Sequence, residues 1–433
     1  MKDLLITNGH VMDAAQGIDE KADVMISNGR IKLVNQHIPN GGCEVIDAAG
    51  KTVCAGFIDL HCHLREPGQE SKETVATGTC AAAAGGFTTL CAMPNTVPPL
   101  DNKIVTAYLA EIIRRDGLVR VLPVGCITRG RLGEELADMA ELAAAGVIGF
   151  SDDGSPVKSS RLMRRALEYS LALDLPVIDH CEDAELAEGT QVNEGIVATR
   201  LGLSGAPPAA EEIIVARDII LAEQSGARLH IAHVSSKGSV ELIRQAKVRG
   251  VRVTAEVTPH HLTLTENMAL GYNTLAKVNP PLRTERDIDA LVHGLMDGTI
   301  DAIATDHAPH GVTDKACEFN LAAMGISGLE TAFGSLMKLV RSGRLPLALV
   351  VAKLTSGPAR VLGKKFQMLG SLATGSPADV VILEPDREWT VDVAQFQSKG
   401  KNTPLDGEVL RGKVVLTLYG GRVVYRDEGY KNE

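Results

Sequence analysis

From about residue 53 to residue 363 the chain alternates short apolar runs with longer stretches in which apolar residues recur every three or four positions. The short runs read as buried strands and the longer ones as amphipathic helices. Eight strand candidates can be counted: VCAGFIDLHCH, FTTLCAMPN, RVLPVGCIT, GVIGFSDDG, LPVIDHCE, ARLHIAHVS, RVTAEVTPHH and AIATDHAPH. Between them lie helix-like segments such as KIVTAYLAEIIRR, SSRLMRRALEYSLAL and GSVELIRQAKVRG, several closed by a glycine. Eight such units predict an α/β fold, a (β/α)8 TIM barrel, rather than an open doubly wound sheet. No GxGxxG turn follows the first strand, which counts against a dinucleotide-binding fold. The two ends have a different texture. Residues 1–52 carry β-type runs broken by Asn-Gly turns at 8 and 28, and residues 364–433 return to that pattern in GSPADVVIL and GEVLRGKVVLTLYG. The expected organisation is a barrel over 53–363 with a small β-sandwich satellite assembled from residues 1–52 and 364–433.

Charge and composition narrow the partners. A formal net charge of −10 gives no basic face for nucleic acid or an anionic membrane, so an anionic substrate has to be captured by a few cations inside a pocket. The N-terminal MKDLLITNGH lacks a basic region followed by a long apolar run, and no window has the apolar length of a membrane span. The expectation is a cytoplasmic protein. The 8 cysteines are scattered, several within apolar runs and without a CxxC pair, and read as buried free thiols.

The chemistry concentrates where the apolar runs end. In GFIDLHCHLR, side chains alternate faces with a period of two, so His61, His63 and Arg65 point the same way at the end of a buried strand. The active site of such a barrel is built at the C-terminal ends of its strands. Strand two ends in Asn95, strand four in Asp152 and Asp153, strand five in His180, strand six in His233, and strand eight in Asp306, His307 and His310. Singly, each of these reads first as an ordinary residue: Asp153 as a helix cap, His180 as a core histidine, Asp306 as a turn residue. Jointly, His61, His63, Asp153, His180, His233 and Asp306 bring imidazole and carboxylate from five strands to one rim. A ligand set without clustered thiolates suits a catalytic zinc-type site with one metal or a pair. His230, three residues before His233, is expected to face the other way, and His260 and His261 to support the ligands from behind.

These residues carry a family likeness. FIDLHCHLREPG, AMPNT, FSDDG, IDHCED, IAHVSS, KVNPPLR and ATDHAPH together resemble the class I dihydroorotase family of the amidohydrolase superfamily, over essentially the whole chain. The resemblance implies reversible cyclisation of N-carbamoyl-L-aspartate to L-dihydroorotate in pyrimidine synthesis, by metal-bound hydroxide with Asp306 as general acid and base. It implies one or two Zn2+ on His61, His63, Asp153, His180, His233 and Asp306, with Arg65, Asn95, Asn279 and His310 holding substrate. Many relatives bridge two metals with a carboxylated lysine at the end of strand four. Here that place holds SDDG, which fits class I dihydroorotases and argues against hydantoinases, dihydropyrimidinases and allantoinases, with Lys158 read as a solvated loop residue. A homodimer is implied, with aspartate transcarbamoylase as a candidate partner. The rival readings are a cyclic amidase for uncharged rings and a silent relative that serves only as a scaffold.

Overall fold

The computed structural model describes residues 3–430. Seven short parallel strands run in sequence order: Phe57–Cys62, Phe87–Ala92, Arg120–Pro123, Val177–Asp179, Leu229–Ile231, Val253–Val257 and Ala302–Ile303. The stave expected at GVIGFSDDG has no continuous ladder. Phe150 there bridges Gly125 on one side and Val177 on the other. A parallel bridge between Cys62 and His307 then joins the last strand to the first and closes the ring. The barrel interior is filled by Ile58, Leu60, Cys91, Met93, Ile148, Ile178 and Ala302, together with Val361, Leu362 and Leu369 from the chain beyond the last strand. Small and branched side chains of this kind pack a narrow barrel solid, which leaves only its rim for chemistry.

The two chain ends build one eight-stranded sheet, in which Leu4–Asp13 pairs with Ile18–Ser27, Glu44–Asp47 and Thr52–Ala55, and Thr52–Ala55 pairs with Val380–Thr390. Ile31 N donates to Ser376 O and Gly375 N to Ile31 O, so the far edge of the sheet folds back on residues 375–376 and forms a sandwich. The run VCAGFIDLHCH, expected to be one strand, is therefore two. Its first part belongs to the satellite sheet, and the chain crosses into the barrel at Gly56, where an added Cβ would lie 2.2 Å from Thr88 Oγ1.

Period-two alternation explains the join between the two parts. On Val380–Thr390, Val380 and Ile382 face the satellite core, whereas Val381 and Leu383 join the cluster that contains Phe57, Phe87 and Phe333 of the barrel. The helix Val75–Ala84 lies in this seam. Thr74 and Thr77 cap it reciprocally, and its run of buried small residues, Ala81 to Ala83, allows close approach to the sheet. Thr417 Oγ1 donates to Ala83 O across the join (2.7 Å).

Candidate metal centre

Four imidazoles and two carboxylates meet at the barrel rim, all from strand ends. His61 Nε2 lies 3.2 Å from Asp153 Oδ1 and 3.6 Å from Asp306 Oδ1. His63 Nε2 lies 3.1 Å from Asp306 Oδ1 and 3.6 Å from Asp153 Oδ2. His180 Nδ1 is 2.9 Å from His233 Nε2, and both approach Asp153 Oδ1, at 3.7 and 3.8 Å. All six side chains are buried, and two groupings, His61–His63–Asp306 and His61–Asp153–His233, each keep their ligand atoms within 4.8 Å of one another. Asp306 and His233 adopt positive φ (44° and 33°), and so does Arg65 (61°), a backbone conformation that costs energy outside glycine and concentrates at functional sites.

The Nδ1 protons of His61 and His63 are committed away from the cluster. His61 Nδ1 donates to Glu256 Oε1 (3.0 Å) and His63 Nδ1 to Asn95 Oδ1 (2.8 Å). The Nε2 lone pairs are thereby turned toward Asp153 and Asp306. Among the described residues, buried His61 Nε2 has no hydrogen-bond partner and faces the carboxylate oxygens of Asp153 and Asp306. Acceptor facing acceptor in a dry site calls for a cation, either a proton or a metal. Burial by itself lowers the basicity of His61, but the carboxylates of Asp153 and Asp306 overcome it and raise His61 well above its ordinary value. Burial by itself raises Asp306, but His61 and His63 overcome it and lower the carboxyl below the usual range. A divalent ion satisfies the same acceptors, and the mixed imidazole and carboxylate donors fit one.

Arg65 sits on the flank. Its Nε donates to Pro309 O (3.2 Å), its Nη2 lies 3.3 Å from His310 Nε2, and among the described residues it forms no ion pair. His310 is pushed down to about 3 by burial, then by Arg65 and Lys72, so it is a neutral imidazole. Its Nε2 proton goes to Met324 O (2.9 Å). Asn95 also donates to Asp153 Oδ2 (3.2 Å), and Asn279 donates to His180 Nε2 (3.4 Å). Both amides thus touch the histidine and carboxylate cluster directly.

Two side chains in this arrangement went unread in the sequence. Glu256, fully buried, accepts from His61 Nδ1 and from His230 Nε2 (3.1 Å), so His230 supports the cluster at one remove. Asp59, also fully buried, accepts from Thr305 N (2.8 Å) and Thr305 Oγ1 (2.5 Å) and ties the first strand to the last. The available signal was a lone carboxylate inside an apolar strand, in TAEV and in FIDL. His261 bonds Thr258 Oγ1 and Pro280 O, and His260 Nε2 is buried without a partner.

A closed eight-fold barrel with this rim and a satellite sheet from both termini defines the chain as an amidohydrolase, a metal-dependent class. The family profile described as "Dihydro-orotase-like" matches residues 50–239, and that described as "Amidohydrolase family" matches residues 238–425. The chain is 53% identical over 425 residues to a dihydroorotase of Pelotomaculum thermopropionicum, covering 98% of this chain and 99% of the relative. It is 51% identical over 423 residues to a dihydroorotase of Syntrophotalea carbinolica, covering 98% and 99%. Among solved structures it resembles the L-hydantoinase (dihydropyrimidinase) of Arthrobacter aurescens, at a TM-score of 0.88 and 27% identity over 98% of this chain and 96% of that one. It also resembles the dihydropyrimidinase of Brevibacillus agri, at a TM-score of 0.84 and 25% identity over 98% and 95%. The chain belongs to the dihydroorotase family.

Proposed function

We propose that this protein is a dihydroorotase of the class I type, interconverting N-carbamoyl-L-aspartate and L-dihydroorotate with zinc at the rim. The observation that carries the reading is the pairing of an acceptor-rich ligand cluster with a buried guanidinium, Arg65, that forms no ion pair among the described residues. A cyclic amide bearing one free carboxylate needs both. In this reading His61, His63, Asp153, His180, His233 and Asp306 hold one or two metal ions. Bound metal supplies a polarised carbonyl and an activated water.

The remaining steps belong to the chain. Asp306, kept ionised beside His63 and His61, accepts a proton from the attacking water and returns it to the departing ring nitrogen. Arg65 grips the substrate carboxylate, His310 joins it once its Nε2 proton leaves Met324 O, Asn95 fixes His63, and Asn279 fixes His180 and meets the amide edge of the ring. Cyclisation runs the same steps backwards. The small-molecule substrate is the only partner that this reading requires; a homodimer or a transcarbamoylase complex is a further expectation, tested by sedimentation. No helix among the described residues is long and apolar enough to cross a membrane.

Elemental analysis of metal alongside the rate of dihydroorotate hydrolysis on one sample tests the reading. Zinc at one or two equivalents with turnover is the expected result; a metal-free, inactive protein would revive the scaffold alternative. The likeness to solved hydantoinases and dihydropyrimidinases favours a second reading, an amidase for uncharged rings. Dihydrouracil turned over faster than dihydroorotate would select it.

A further inference from the structure

A ring of positive charge surrounds His310 and extends beyond Arg65. Lys72 Nζ lies 3.5 Å from His310 Nδ1, on the side of the imidazole opposite the Arg65 contact at Nε2. Lys315, pulled down to about 7 by burial and then by Lys277, donates to Thr274 O (3.1 Å) and Lys277 O (3.0 Å) and adds only part of a charge. The carboxylate that answers these cations is Asp314, whose Oδ2 lies 3.1 Å from Lys72 Nζ and 3.7 Å from His310 Nδ1 and accepts from Gly311 N at 3.0 Å. A carboxylate from the chain itself therefore already rests on Lys72 and beside His310.

Lys72 is well fixed for such a task. It lies on the turn after the first barrel strand, where Gln69 N donates to Arg65 O (3.0 Å) and Lys72 N to Gln69 O (2.9 Å). The neighbouring Glu73 is fully buried between His307 and Ser398, which anchors the backbone at that point. Asp314 lies on the four-residue helix Val312–Lys315, with its side chain 30% exposed against 28% for Lys72.

Resting on the dihydroorotase reading above, we propose that Lys72 is a specificity-determining residue of this site. It is a second cation, across His310 from Arg65, that attracts the free carboxylate of the substrate, and Asp314 competes with that carboxylate for it. A substrate with a carboxylate can replace Asp314 on Lys72. An uncharged hydantoin or dihydropyrimidine brings nothing to replace it with, so the same lysine disfavours the amidase alternative. Partly buried charges a few ångströms apart interact more strongly than exposed pairs, and Lys72, at 28% exposure, keeps part of that advantage.

The test is steady-state hydrolysis of dihydroorotate by the full zinc-loaded chain as wild type, Lys72→Met, Lys72→Arg and Asp314→Asn. Lys72→Met should raise KM about three- to tenfold, with kcat within about twofold of wild type, and Lys72→Arg should restore most of the loss. Asp314→Asn should lower KM, because it removes the competitor, and an unmoved KM counts against the inference. A KM that rises in Asp314→Asn as it does in Lys72→Met means that Lys72 only latches residues 312–315, and the inference is overturned. An unmoved KM in Lys72→Met, or a loss confined to kcat, overturns it as well. Should Lys72→Met fail to fold, the sign of the Asp314→Asn effect decides alone. A wild type without dihydroorotate turnover sinks the functional reading itself, which separates that failure from this one.

Discussion

Glu256 is a fully buried carboxylate in the middle of a barrel strand, and two imidazoles keep it charged. Burial would raise its carboxyl, but hydrogen bonds from His230 and His61 hold it at about 2. Its Oε1 fixes the Nδ1 proton of His61 and so leaves Nε2 free to bind metal. In Glu256→Gln the shape survives, but an amide offers one oxygen to two N–H donors and turns its NH2 toward the other. Either His61 loses the bond that sets its tautomer or His230 Nε2 is left unsatisfied. Loss of such an outer partner weakens metal binding about 10–100-fold, on the order of 1.4–2.8 kcal/mol. A buried donor without an acceptor adds roughly 1–3 kcal/mol of destabilisation to the metal-free fold. Titration of zinc into the metal-free variant against a chelating dye reads the first number, and urea denaturation the second. A correctly folded Glu256→Gln protein that binds zinc as tightly as wild type would refute the reasoning, because His61 would then need no help to present Nε2.

Asp306→Ala should abolish turnover in both directions, and substantial residual hydrolysis of dihydroorotate in a metal-replete variant would remove it from proton transfer. Glu330, raised to about 7 by burial although Gln397 N and Ser398 N donate to it, holds its proton more tightly folded than unfolded. Folding stability should therefore fall as pH rises from about 4.5 to 7, by on the order of 2–3 kcal/mol, and Glu330→Gln should flatten that slope in denaturant melts. Phe57, fully buried and edge-on to Phe87 at 5.5 Å between ring centres, sits in the seam between barrel and satellite sheet. Phe57→Ala should cost about 3–5 kcal/mol in urea denaturation, whereas a loss below 1 kcal/mol would mean that the seam contributes little.

The sequence was most legible where apolar runs end in polar residues. Seven of the eight expected staves form ladders, and the six residues chosen at their ends lie together, because strands buried on both faces are mostly apolar and their polar ends collect at the rim. Two features escaped. A single run, VCAGFIDLHCH, reads as one strand since nothing in hydrophobicity marks Gly56 as a crossing; the close approach of Thr88 that demands glycine is a tertiary fact. The period-two rule placed His230 away from His233, but His233 lies past the strand end at φ 33°, where strand alternation no longer applies, and Glu256 from the neighbouring strand connects His230 to His61. Cross-strand partnership depends on register, and register is not written in either strand alone.

The end of strand four bears on how this site differs from bridges made by a carboxylated lysine. After Phe150 the ladder stops, Ser151 N returns to Gly125 O (2.8 Å), and the two adjacent aspartates part company. Asp152 accepts from Ile127 N (2.9 Å) and Thr128 N (3.1 Å) and builds the neighbouring turn. Asp153 turns inward, so that one short carboxylate lies between 3.2 and 3.8 Å from ring nitrogens of His61, His63, His180 and His233. Lys158, the nearest lysine in sequence, is exposed. If Asp153 is the bridging group, assembly of the centre needs metal but no carbon dioxide. Metal-free protein reconstituted with zinc should regain the same activity in bicarbonate-free buffer as in buffer with bicarbonate added. A requirement for bicarbonate would mean that a lysine carbamate, and not Asp153, completes the site.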